Sequence, residues 1–128
     1  MAWHERAVGK VYTAPEIELK LAENLPRWEL LDGFLCRNYR TAGWKGTLMV
    51  VNAVGHLAEV AWHHPELQVT YAAVAVKLQT HIANGITDRD LELARKIEEV
   101  LMWQPAARPD SALEGTPDDP RFRYFIYD

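Results

Sequence analysis

Pro65 restricts the folding of this chain more than any other residue. It follows an apolar helical pattern that ends in two adjacent histidines, within EVAWHHPELQVTYAAVAVKLQTH from Glu59 to His81. A proline pushes the residue before it out of the α region, so the helix must stop by about His64. His63 and His64 are thereby displayed at a forced chain reversal. After the reversal comes an alternating, β-branched run that reads as a strand and ends at a third histidine, His81. A helix end and a strand end together can deliver three imidazoles to one rim. Histidine gives or takes a proton near neutral pH more readily than any other side chain, so such a rim suits general acid and base work on a small polar substrate.

The remaining residues set the frame around that stretch. The length, 128 residues with 48% hydrophobic content, fits one domain with one packed core. A formal charge of −4, with no local Lys/Arg cluster, argues against nucleic acid as a partner. The lone cysteine, Cys36, cannot make an internal disulfide. With no apolar leader and no window of transmembrane length, the expectation is a soluble cytoplasmic protein that does not engage a membrane.

Residues 1–12 carry no periodic signal and read as an arm. Thr13 and Glu16 have capping-box spacing with Pro15 between them, and Ile17, Leu21 and Leu25 then share a face, which predicts a short helix ended by Pro26. Trp28 to Leu31, Asp32-Gly33 and Phe34 to Tyr39 predict a hairpin, because Asp-Gly supplies the positive φ values of a two-residue turn. From about Ala42 to His63 a stripe of Trp44, Leu48, Val51, Gly55, Ala58 and Trp62, widened by Met49, Ala53, Leu57 and Val60, predicts a long helix buried on two sides. Val50, Val54 and Leu57 are then the residues it would offer to a partner subunit.

Leu67 to Tyr71 and Val74 to Thr80 predict two more strands, with Val74, Val76 and Leu78 on the buried face. Asn84-Gly85 marks a turn. Thr87 and Asp90 open a last helix with Leu91, Ala94, Ile97 and Leu101 on one stripe. The order helix, two strands, helix, two strands, helix predicts an α+β fold with the helices on one face of a mostly antiparallel sheet. After Trp103 the chain turns rich in Pro, Asp and Ala and reads as an extended or mobile tail. Its aromatic end (Phe122, Tyr124, Phe125, Ile126, Tyr127) is suited to adding a strand to an edge of its own sheet or a neighbour's; the plain alternative is an unstructured end.

Other readings of the histidines stay open at this level. Imidazoles near a helix C-terminus also serve as caps for its free carbonyls. A metal site is disfavoured, because adjacent His63 and His64 cannot easily aim at one ion. His56 reads as an interface or surface residue, and His4 carries no signal.

Glu59, then His63-His64-Pro65-Glu66, Tyr71, Leu78, Thr80-His81, Gly85, Thr87 and Asp90-Leu91 together form a pattern that resembles the pterin-4a-carbinolamine dehydratase family, also called 4a-hydroxytetrahydrobiopterin dehydratase. The resemblance covers about Ala14 to Trp103, with Trp28 and Trp44 included, and marks 13–103 as a dehydratase-like domain between the arm and the 104–128 tail. It implies a four-stranded antiparallel sheet with three helices on one face, in the order α-β-β-α-β-β-α, assembled as homodimers or homotetramers. It implies that 4a-hydroxytetrahydropterin loses water to give quinonoid dihydropterin, with no metal and no cofactor. His63, His64 and His81 match the active-site histidines. Glu59, Pro65 and Asp90 match further motif positions, and Glu66, Thr80 and Trp28 join them as candidate substrate-binding residues. Trp62 departs from the family's small or polar residue before the histidine pair; its ring could stack on a flat pterin or fill the space one needs. That departure, GWKGTLMVVNAVGHLAEVAWHHPEL and the tail segment LEGTPDDPRF look like a bacterial subgroup associated with α-carboxysomes. For that subgroup the implied role is Rubisco assembly, with Rubisco subunits as partners and no catalysis. An enzyme and an assembly factor are thus the two functional classes that the sequence leaves open.

Overall fold

The computed structural model describes residues 3–128, so Met1 and Ala2 of the predicted arm lie outside the described residues. The chain runs α1 (Ala14–Asn24), β1 (Glu29–Leu31), β2 (Phe34–Arg40), α2 (Trp44–Ala61), β3 (Glu66–Thr70), β4 (Ala73–Leu78) and α3 (Asp88–Leu101), with short 3₁₀ turns at His81–Ala83 and Pro105–Ala107. The expected order α-β-β-α-β-β-α is observed. The four strands form one antiparallel sheet in the order β1-β2-β4-β3.

Local chemistry explains most of the boundaries. Both capping boxes form: Thr13 with Glu16 opens α1, and Thr87 with Asp90 opens α3. Asp32 and Gly33 take φ values of 51° and 82°, the left-handed pair that a two-residue hairpin turn needs. Helix α2 ends at Ala61, because Trp62 itself turns left-handed (φ 52°, ψ 46°) and the His63 amide reaches back to the Ala58 carbonyl at 3.1 Å. That is a Schellman closure, and it fixes the direction in which the chain carries His63 away from the helix.

The core lies between the sheet and the helices. Leu35, Tyr39, Val74, Val76 and Leu78 point inward from β2 and β4 and are fully buried against Ile17 and Leu21 of α1, Val50 and Val54 of α2, and Leu91, Ala94 and Ile97 of α3. One expectation is corrected here. Val50 and Val54 face the chain's own sheet rather than a partner, because the core-facing line of α2 runs through Thr47, Val50, Val54 and Ala58. The apolar side chains left outside on this helix are Trp44, Leu48, Met49 and Val60. The helix is apolar almost all round, so its sequence does not distinguish the two faces.

A charged cluster ties α3 to β2. The Arg37 guanidinium, almost wholly buried, donates from Nε to Glu98 Oε1 at 3.0 Å, and the Tyr39 hydroxyl (2.6 Å) and the Trp28 indole N–H (3.0 Å) donate to the same oxygen. Burial, with Glu98 as the next cause, pushes the Tyr39 phenol far above its ordinary value. The 104–128 tail returns to this end of the sheet. Thr41 bridges Phe125, the Ala42 amide donates to Tyr124 O and the Ile126 amide to Arg40 O, each at 3.0 Å. Phe125 is 5% exposed and belongs to the core, 6.2 Å from the Tyr39 ring. Arg40 donates to the Asp128 carboxylate at 2.7 Å and holds it below the usual carboxylate range. The aromatic end therefore docks on its own chain through a single bridge and does not add a full strand.

Candidate active site

The chain reversal after α2 brings His63 to the start of α3. His63 Nε2 lies 2.7 Å from Asp90 Oδ1, and Asp90 is 0% exposed. The other carboxylate oxygen, Oδ2, accepts from the Thr80 hydroxyl at 2.7 Å and from the Thr87 amide at 2.9 Å. One aspartate thus closes the capping box of α3 and holds an imidazole on the neighbouring loop. Three hydrogen-bond contacts satisfy its two side-chain oxygens without solvent.

His64 is held differently. Its Nε2 lies 2.6 Å from Glu59 Oε2, one turn back on α2, and both side chains are well exposed. The Trp62 ring meets His64 edge-on, with centroids 4.9 Å apart and planes at 84°. Trp62 is 71% exposed and stands beside His64. One imidazole is therefore backed by a buried carboxylate and its neighbour by an exposed one. A pair so differentiated can divide proton donation and proton acceptance between its members.

The other expected site residues are distributed as follows. His81 opens the 3₁₀ turn that follows Thr80, so it sits one residue from the Asp90 network, with an exposed side chain. Strand β4 ends at Leu78, short of the expected Thr80. Thr80 instead bridges Gly85, which closes the loop on which His81 rides. Pro65 is half-buried at the reversal, and Glu66 starts β3 opposite Lys77. Thr80 and Asp90 are buried and spend their polar side-chain atoms on each other, on Thr87 and on His63. Trp28 is a core residue at 3% exposure, its indole committed to Glu98, which leaves no free face for stacking. Among the described residues no three His, Cys, Asp or Glu side chains are grouped to hold a metal ion.

The sequence presents Thr87 as a helix cap and as a position of the family pattern, with no site role attached. Its connection to Thr80 and through Asp90 to His63 depends on tertiary closure, and the spacing to Asp90 was the one local signal for it. A hollow of about 560 Å³ lies elsewhere, with Cys36, Arg37, Asn38, Ala75, Lys77 and Asp128 among its lining residues. Burial raises the Cys36 thiol above its ordinary value, which makes it a poor nucleophile. That hollow contains none of the five histidines.

Trp62 offers a direct test of what its conformation costs. A non-glycine residue held left-handed carries about 1–2 kcal/mol of strain. Trp62→Gly is expected to raise stability by about 1 kcal/mol, since glycine adopts this cap freely. Urea denaturation reads the change, and a lower midpoint in the variant would mean that the indole's contact with His64 outweighs the strain.

Known proteins resemble this chain over much of its length. The family model described as pterin 4 alpha carbinolamine dehydratase matches residues 10–100. A relative in Aquifex aeolicus (strain VF5) that carries the pterin-4-alpha-carbinolamine dehydratase name is 48% identical over 79 residues, covering 62% of this chain and 80% of its own. One of the same name in Prochlorococcus marinus (strain MIT 9303) is 43% identical over 77 residues, covering 60% and 80%. The crystal structure of a transcriptional coactivator/pterin dehydratase from Brucella melitensis superimposes with a TM-score of 0.65 at 27% identity, covering 71% of this chain and 98% of that one. With a family model matching residues 10–100, a relative 48% identical over 79 residues and a shared fold, the chain belongs to the pterin 4 alpha carbinolamine dehydratase family.

Proposed function

We propose that the protein dehydrates a 4a-hydroxytetrahydropterin to the quinonoid dihydropterin by histidine acid and base catalysis. The reaction needs a proton on the departing 4a-hydroxyl as its C–O bond breaks. It also needs a base for the ring N–H proton released as the C=N bond forms, so water leaves and no net proton is consumed. His63 and His64 serve these transfers, with His81 on the adjoining loop as the third imidazole. The observation that carries the reading is the 2.7 Å contact between His63 and the wholly buried Asp90, which is the arrangement of an oriented proton-transfer group and more than a helix cap requires. Trp62, exposed beside His64, supplies a flat face for the pterin ring.

The Rubisco assembly reading drew on Trp62 and the aromatic tail. Phe125 is spent in the chain's own core, which leaves Phe122 and Tyr127 as the exposed rings of the tail's end for a client. The enzyme reading is preferred on the strength of the contact between His63 and Asp90. Stopped-flow generation of the 4a-hydroxytetrahydropterin tests it: purified protein is expected to speed water loss well beyond the spontaneous rate, in proportion to its concentration. A rate equal to the spontaneous one at micromolar protein would end the enzyme reading.

A further inference from the structure

We propose that Thr80 and Thr87 are positioning residues that fix, through Asp90, which nitrogen of His63 carries the proton. The geometry allows one order of donors. Asp90, when ionised, only accepts, so the single hydroxyl proton of Thr80 goes to its Oδ2 at 2.7 Å. Thr80 Oγ1 is then free to accept, and the Thr87 hydroxyl, 2.9 Å away, must donate to it. Thr87 Oγ1 in turn accepts from the backbone amide of Arg89 at 3.2 Å. A one-way chain therefore runs from the first turn of α3 through two buried hydroxyls to the carboxylate, and the Thr87 amide adds a second, irreversible donor to the same Oδ2 at 2.9 Å. With Oδ2 occupied in this way, Oδ1 is left facing His63 Nε2. The neutral imidazole must hold its proton on Nε2 and keep Nδ1 bare as an acceptor.

The consequence for chemistry is that His63 is pre-set as a base. That role rests on the dehydratase reading, whereas the tautomer does not. It also explains why Thr80 and Thr87 are buried with their hydroxyls turned inward: they act on the site from behind and do not touch a ligand.

Asp90→Asn tests the chain directly. The backbone amide of Thr87 cannot reverse, so the asparagine must turn its carbonyl oxygen toward Thr87 and Thr80 and its NH₂ toward His63. His63 Nε2 then has to accept, and its proton moves to Nδ1. Nitrogen-15 NMR of the imidazole, with no pterin present, is expected to find the Nε2–H form in the wild type and the Nδ1–H form in Asp90→Asn. An Nδ1–H ring in the wild type, or an unchanged Nε2–H ring in the variant, would overturn the proposal. Thr80→Val removes one link and leaves the cap at Thr87, and Thr80→Ser restores the hydroxyl. Dehydration is expected to fall roughly tenfold in the valine variant and to return to within about twofold of wild type in the serine variant. Equal rates in the valine and serine variants would remove the positioning role even if the tautomer were as expected. If the wild type dehydrates nothing, the NMR result still decides the tautomer, so the two claims fail separately.

Discussion

His63→Ala is expected to slow dehydration by about 10²–10⁴-fold, the range that a positioned proton-transfer group supplies. The substitution has a second effect that must be separated from the first. It leaves Asp90 Oδ1 without its partner in a wholly buried site, and an unpaired buried acceptor costs about 1–3 kcal/mol. The rate therefore has to be compared at a temperature where circular dichroism finds the variant folded. His64→Ala provides the clean counterpart. His64 and Glu59 are both exposed, and an exposed contact of this kind contributes at most about 1 kcal/mol, so the fold is expected to be untouched while the rate again falls steeply. A folded His63→Ala protein with wild-type turnover would show that the ring is a structural cap only.

Phe125→Ala is expected to destabilise the protein by about 3–5 kcal/mol, as for other buried aromatic truncations. That is a large part of the roughly 5–15 kcal/mol that holds a domain folded. The effect is expected although Phe125 lies outside the span matched by the family model, because its ring fills the core beside Tyr39. Gly46→Ala attacks the same docking from the other side. A Cβ on Gly46 would lie 2.1 Å from the Tyr124 carbonyl oxygen, a backbone atom that cannot step aside cheaply. Overpacking of that kind costs about 1–3 kcal/mol. Both variants are read by thermal and urea unfolding. Midpoints equal to wild type in both would mean that the tail does not pack on the core in solution.

The sequence revealed what local chemistry decides. Thr13 with Glu16, Thr87 with Asp90, Asp32-Gly33 and the alternation of Val74, Val76 and Leu78 each specify an element within a few residues, and each appears as expected. What it concealed depends on distant partners. Glu98 joins Trp28, Arg37 and Tyr39 across 59 to 70 residues of chain, so nothing near Trp28 signalled a core role. The inward face of α2 was ambiguous because Trp44 and Leu48 on one side are as apolar as Val50 and Val54 on the other. The docking of Phe125 depends on space that Gly46 leaves open, and no periodic pattern records it. Asp90 shows both limits in one residue: its capping spacing was legible, while its contact with His63 exists only once α2, β4 and α3 have packed.

Chemistry is expected at the histidine reversal and not in the hollow beside Cys36 and Asn38. Titration of a stable tetrahydropterin analogue into isotope-labelled protein tests this most directly by NMR. Ring resonances of His63, His64 and His81 are expected to shift together and saturate at one concentration, with Cys36, Asn38 and Ala75 unmoved. Saturable shifts confined to Cys36, Asn38 and Ala75, with the three imidazoles silent, would contradict it.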